Sequence, residues 1–167
     1  KLYYIGPMFR YDRPQAGRYR QFDQLGAELI GVPGTQGDAE SIHLHVMLLN
    51  ELGLKQFTVK INSVGCAGCR PSYSALIRQT LKSRVHELCE DCQARLEKNP
   101  LRVLDCKSDD CRKVAEHVPP IVGSLCEECL RQFNELKERL DSIGVGFEED
   151  PGLVRGLDYY TRGAFEV

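Results

Sequence analysis

Three features of the chain predict an α+β fold with strands at both ends and a helical segment between them. Residues 1–31 form two extended runs around a polar loop, and residues 153–167 return to a strand-like pattern. From Ser63 to about Glu149, apolar residues recur at helical spacing. All eight cysteines fall inside that helical segment. The expected organisation is therefore 1–63 and 150–167 as parts of one core, with 64–149 as a separate helical, cysteine-rich insert.

The first run, Leu2–Phe9, is rich in aromatic and branched residues. The loop YDRPQAGR carries Pro14 and Gly17, both turn formers. The return run alternates with period two, so Leu25, Ala27 and Leu29 share one face while Arg20, Phe22, Gln24, Gly26 and Glu28 share the other. A ring, an amide, a glycine and a carboxylate in file describe a ligand-facing ledge, with Gly26 leaving room. An ordinary half-buried strand would carry solubilising residues there. Asp38 is the expected N-cap of a helix whose stripe includes Ile42, Val46 and Leu49. His43 and His45 lie on it but are two positions apart, so they do not share a metal. Gln56–Asn62 alternates as a strand. In the insert, Leu76, Ile77, Leu81, Val85 and Leu88 form one apolar stripe. Phe133, Leu136, Leu140 and Ile143 form another, with connectors at 99–107 and 116–123 between them.

The cysteines pair as Cys66/Cys69, Cys89/Cys92, Cys106/Cys111 and Cys126/Cys129. Three CxxC pairs and one wider pair are metal-ligand spacings, because a tight turn aims two thiolates at one ion. Eight thiolates suffice for two closed, structural Zn2+ sites with no open position for water. Spacing does not say which pairs share an ion. Disulfides and unliganded thiols are the competing readings, the former disfavoured if the chain works in the cytoplasm, where thiols stay reduced. A thioredoxin-like role would need one CxxC at a strand–helix junction.

A net charge of −2 with mixed signs throughout gives no long basic run, so electrostatics alone would not predict an RNA partner. No apolar run reaches membrane-spanning length, and no signal peptide is evident. Lys1 and Val167 both fall inside strand-like runs, as expected of an excised piece.

Residues 6–31, GPMFRYDRPQAGRYRQFDQLGAELIG, resemble the second signature motif of class II aminoacyl-tRNA synthetases in its histidyl form. Residues 153–167, LVRGLDYYTRGAFEV, resemble the histidine-specific motif of the histidyl-tRNA synthetases, and NPLRVLDCK in the middle is similar to the bacterial members. The resemblance implies part of the class II antiparallel sheet, interrupted by an insertion domain that closes over the tRNA acceptor end. It implies ATP-dependent activation of histidine and transfer to tRNA(His), with Mg2+ accompanying ATP and a homodimer at full length. Many bacterial members have polar residues in place of the cysteines. The site residues also follow from the resemblance. Arg10 falls on the arginine bridging substrate carboxylate and α-phosphate, and Arg18 on the one holding the γ-phosphate. Phe22 is the adenine platform, and Asp12 stands where a glutamate often meets the adenine edge. Gln24 holds the α-amino group, Glu28 reads the imidazole, and Tyr160, with Tyr159 beside it, meets the other ring nitrogen. Arg155 faces the α-phosphate from the opposite side.

A carboxylate for one ring nitrogen and a phenol for the other suit histidine on chemical grounds alone, because apolar isosteres would leave both unpaired. Two alternatives compete. One is the histidine-sensing regulatory paralogue of ATP phosphoribosyltransferase, which usually lacks the RGLDYY arginine and the large insertion. The other is a zinc-stabilised RNA-binding module without catalysis, which would leave the ledge without a purpose.

Overall fold

The computed structural model describes residues 1–11, 13–154 and 159–167. Strands β1 (Leu2–Phe9) and β2 (Gln21–Glu28) form an antiparallel hairpin in which Tyr4 faces Gly26, Gly6 faces Gln24 and Met8 faces Phe22. Its loop closes through the Gln15–Arg18 turn, where Gly17 adopts φ 73°. Helix α1 (Thr35–Glu51) follows and starts four residues earlier than the sequence suggests, with Gly34 at φ 88° as its cap. Asp38 sits inside the first turn instead, where its carboxylate favours the positive end of the helix.

Strand β3 (Lys60–Ser63) is shorter than the expected 56–62 run and carries the chain into the cysteine-rich segment. There α2 (Arg70–Leu81) runs into a 3₁₀ turn at Lys82–Glu87. Helix α3 (Glu90–Lys98) leads to a second 3₁₀ turn, Pro100–Val103. Helix α4 (Asp109–Ala115), lying beyond the expected connector at 99–107, leads to a third, Ile121–Ser124. Helix α5 (Glu127–Ser142) then returns to the two-residue strand β4 (Glu148–Glu149), and β5 (Gly163–Glu166) ends the order.

The antiparallel core expected from the resemblance takes a different form here. The second sheet has the order β4-β3-β5 and is mixed: β3 is parallel to β4 and antiparallel to β5. Among the described residues the hairpin is a separate sheet. The parallel pairing arises because α5 carries the chain back between β3 and β4, the crossover a parallel pair requires.

Two apolar clusters fill the interior. The first joins Tyr73, Ile77, Leu81, Leu88, Leu96 and Val103 with residues of α4 and the third 3₁₀ turn. The second joins Ala39 and Ile42 of α1, Val59 and Ile61 around β3, and Phe133, Leu136 and Leu140 of α5. Helix α5, which lies within residues 64–149, thus buries its apolar stripe against α1 and β3, while Ile143 at its end stays exposed. Arg139 reinforces this by donating from Nε to Thr35 Oγ1 at 3.0 Å while pairing with Glu135. The chain leaves the second cluster after Ile61 and returns to it over residues 121–133, where Ile121 and Leu125 pack with the first cluster and Val122 and Phe133 with the second.

Leu140 is fully buried in the second cluster. Leu140→Ala should destabilise the protein by about 2–5 kcal/mol through lost burial and the cavity left behind, measured by chemical denaturation.

Candidate functional site

The hairpin alternates as the sequence predicts, and the expected ledge is its better-covered face. Phe22, Gln24 and Gly26 are partly buried there together with Tyr4, Gly6 and Met8 of β1 and Arg10 just after it. Leu25, on the other face, is 49% exposed. The cover comes from across the strands. Arg10 stacks its guanidinium on the Phe22 ring, 4.3 Å from the centroid, and its Nε donates to the Tyr19 carbonyl at 2.8 Å. Gln24 Nε2 donates to Tyr4 Oη at 2.7 Å. The room expected at Gly26 is filled by the Tyr4 ring: a Cβ there would lie 2.1 Å from Tyr4 Cζ. Sequence reasoning missed Tyr4, because the register that sets this aromatic directly opposite a glycine is not fixed by residue order.

Glu28, at the end of β2, is exposed. Tyr159 and Tyr160 stack on each other with centroids 4.8 Å apart and planes 28° apart. The Tyr160 hydroxyl pushes the Tyr159 phenol above its ordinary value, and the Glu28 carboxylate adds to the shift. The hairpin end and the second motif therefore lie within electrostatic reach. Arg18 is exposed in the loop. Asp12 and Arg155 lie outside the described residues.

Tyr160 also lines a cleft of about 450 Å³ that it shares with the insert. Arg70, Ser74 and Arg78 come from α2, and Lys98 and Asn99 from the end of α3. Among the described residues, the charged side chains lining it are all cationic. Arg78 is partly committed to the fold, because it donates to the Leu96 and Glu97 carbonyls at the C-terminal end of α3. Asp150 anchors the chain just before the second motif by pairing with Lys60 at 2.9 Å and accepting the Gly152 amide. Lys60 holds the Asp150 carboxyl below its ordinary range. His45, on α1, packs edge-on against Phe165.

The eight cysteines gather into two groups. Cys66, Cys69, Cys126 and Cys129 form one, and Cys89, Cys92, Cys106 and Cys111 the other; within each, the sulfurs lie within 4.8 Å of one another. The pairing is nested, with the second group inside the span of the first. All eight are free thiols. The Cys66–Cys69 and Cys89–Cys106 sulfurs are 3.6 and 4.0 Å apart, bracketing the edge of about 3.8 Å of a tetrahedron with 2.3 Å metal–sulfur bonds. Cys69, Cys89 and Cys126 are the N-caps of α2, α3 and α5, and Cys111 lies in the first turn of α4. The positive end of a helix thus faces sulfur in both groups. The Cys89 amide donates to Cys111 Sγ and the Cys126 amide to Cys69 Sγ, each at 3.2 Å.

Thiol ionisation splits within each group. Amides of Cys69 and Gly68, with the thiols of Cys69 and Cys129, bring Cys66 down to about 6. Burial pushes Cys129 up to about 12, and pushes Cys92 and Cys111 up as well. Four sulfurs this close cannot all carry charge unless a cation is placed among them. The donor set, its spacing and its amide contacts fit a soft or borderline divalent metal.

Comparison with known proteins converges on one family. A histidine–tRNA ligase of Desulfitobacterium hafniense is 52% identical over 167 residues, which is all of this chain and 39% of that protein. One from Desulfosudis oleivorans is 53% identical over the same stretch, 40% of its length. The chain thus spans about two-fifths of these curated relatives. The apo crystal structure of Staphylococcus aureus histidyl-tRNA synthetase aligns with 99% of this chain and 37% of its own, at a TM-score of 0.72 and 39% identity. A Bacillus halodurans structure described as an ATP phosphoribosyltransferase regulatory subunit/histidyl-tRNA synthetase shares the fold at 23% identity, with a TM-score of 0.62 over 99% of this chain and 46% of its own. The profile of the histidyl-tRNA synthetases matches residues 1–167 without interruption, and the chain belongs to that family.

Proposed function

We propose that this chain forms part of the catalytic core of a cytoplasmic histidine–tRNA ligase, together with the insert that meets the acceptor stem of tRNA(His). The observation that carries the reading is the polar ledge of the hairpin, where Arg10, Phe22 and Gln24 share one covered face and Glu28 is within electrostatic reach of Tyr159, on which Tyr160 stacks. That arrangement supports the ligase over a metal-stabilised RNA-binding module, which would have no use for it. The intact RGLDYY stretch and the large insert favour the ligase over the regulatory paralogue.

Adenylate formation is in-line attack of the histidine carboxylate on the α-phosphate. One P–O bond forms as the bond to pyrophosphate breaks, so positioning and charge neutralisation are the protein's main tasks. Arg10 grips the carboxylate and α-phosphate. Arg18 takes the γ-phosphate, Phe22 supports adenine and Asp12 meets its edge. Gln24, itself held by Tyr4, orients the α-amino group. Glu28 and Tyr160, with Tyr159 stacked on it, read the imidazole nitrogens. Arg155 opposes charge developing on the α-phosphate. Mg2+ bound with ATP would supply further neutralisation of the phosphates. The two cysteine groups would each hold a structural Zn2+, a staple for the short helices and 3₁₀ turns around them.

In full-length protein, Arg155→Ala should slow single-turnover adenylate formation roughly a hundred- to a thousand-fold with a much smaller change in histidine affinity. Glu28→Gln should instead weaken histidine binding directly. Unaltered adenylate formation in Arg155→Ala would remove its assignment. Tyr4→Phe frees the Gln24 amide from one neutral hydrogen bond and should raise the histidine KM about fivefold, the equivalent of ~1 kcal/mol. Metal analysis should find two zinc ions per chain, and a chelator should lower helicity in residues 64–149; unchanged circular dichroism after complete metal removal would refute the structural role.

A further inference from the structure

The two cysteine groups occupy different places in the architecture. Cys89, Cys92, Cys106 and Cys111 all lie within the insert, and Cys92 and Cys111 belong to its apolar cluster. The other group draws its ligands from both crossings between the clusters. Cys66 and Cys69 lie between β3 and α2, where the chain leaves the cluster of Ile61 and reaches that of Tyr73. Cys126 and Cys129 open α5, where the chain returns from Leu125 on the first cluster to Phe133 in the second. Cys69 and Cys129 are buried there, and the Cys126 amide donates to Cys69 Sγ across 57 residues of sequence.

The outgoing crossing is also tied to the segment carrying Tyr160. Val64 donates its amide to the Arg162 carbonyl at 2.7 Å, and Arg162 returns a bond to the Gly65 carbonyl at 2.9 Å. Gly65 holds φ +64°, and a Cβ there would lie 2.8 Å from Cys69 Cβ, so the backbone turns tightly against the sulfur group. Val64 and Arg70, on this crossing, line the basic cleft together with Tyr160.

We infer that the Cys66/Cys69/Cys126/Cys129 group is a metal clamp on the hinge between core and insert, and that the ion it holds fixes the width of the cleft between α2 and Tyr160. The other group staples the insert internally and leaves the hinge alone. The inference rests on zinc occupying both groups, and metal content reports on that independently of the hinge.

The test uses full-length protein, zinc analysis and amide hydrogen exchange read by mass spectrometry. Cys66→Ser/Cys126→Ser should lower zinc from two ions per chain to one. It should speed exchange at residues 62–70 and 119–130 about tenfold or more while leaving α3 and α4 protected. Cys89→Ser/Cys106→Ser should also lose one ion, with exchange speeding within 86–116 and the crossings unchanged. Should the first double variant prove unrecoverable, Cys126→Ser alone, at an exposed ligand, carries the same test. If the hinge variant loses one ion with the crossings still protected, or exposes α3 and α4 as much as the inner variant does, the clamp is overturned and the zinc reading stands. Wild-type protein without bound zinc would overturn both.

Discussion

The fold depends on how the chain passes between its two apolar clusters. One cluster lies under α1, β3 and α5, the other among α2, α3 and α4, and the backbone runs from one to the other after Ile61 and back over residues 121–133. A pair of short linkers resists twisting poorly unless it is joined side to side. Both linkers here bring two thiols to the same point, next to helix ends that favour negative sulfur. The backbone bonds between Val64, Gly65 and Arg162 add a third strand of connection on the same side. A small polar junction thus ties the insert to the core where the chain passes between them.

Much of this was legible from residue order, and the parts that were not share a cause. The stripes through Ile77 and Leu81, and through Phe133, Leu136 and Leu140, identified buried faces because helical periodicity is local. Cysteine spacing gave the ligand pairs for the same reason. Which pair joins which is a long-range fact: four pairs of similar spacing are interchangeable until the helices have packed. Likewise Asp38 has the chemistry of an N-cap, yet it is drawn into the first turn beside Arg162 because Gly34 supplies the positive φ that begins the helix. Burial raises its carboxyl pKa and Arg162 opposes the rise.

The hairpin shows the same division. Alternation placed Phe22, Gln24 and Gly26 together, but not the side chains that cover them. Those come from the opposite strand, through a register that residue order leaves open: Arg10 lies over Phe22, and Tyr4 over Gly26 with its hydroxyl on Gln24. The polar face is thereby organised by its own strand partner. Short side-chain contacts within one hairpin keep Gln24 from rotating and give the Phe22 ring a cationic neighbour on one side.

The nesting of the two cysteine groups also sets an order of assembly. The inner group closes over short chain distances, with Cys89 and Cys111 only 22 positions apart; the outer must bring Cys69 to Cys126 across 57. Loop-closure entropy alone separates them by roughly 1 kcal/mol, and the larger loop becomes effectively shorter once the smaller one has been tied off inside it. During synthesis the inner thiols also emerge from the ribosome as a complete set before Cys126 and Cys129 do. The insert can thus mature as a unit while the sheet that receives it still lacks β4, β5 and α5, and the last ligands to arrive are those that join the two.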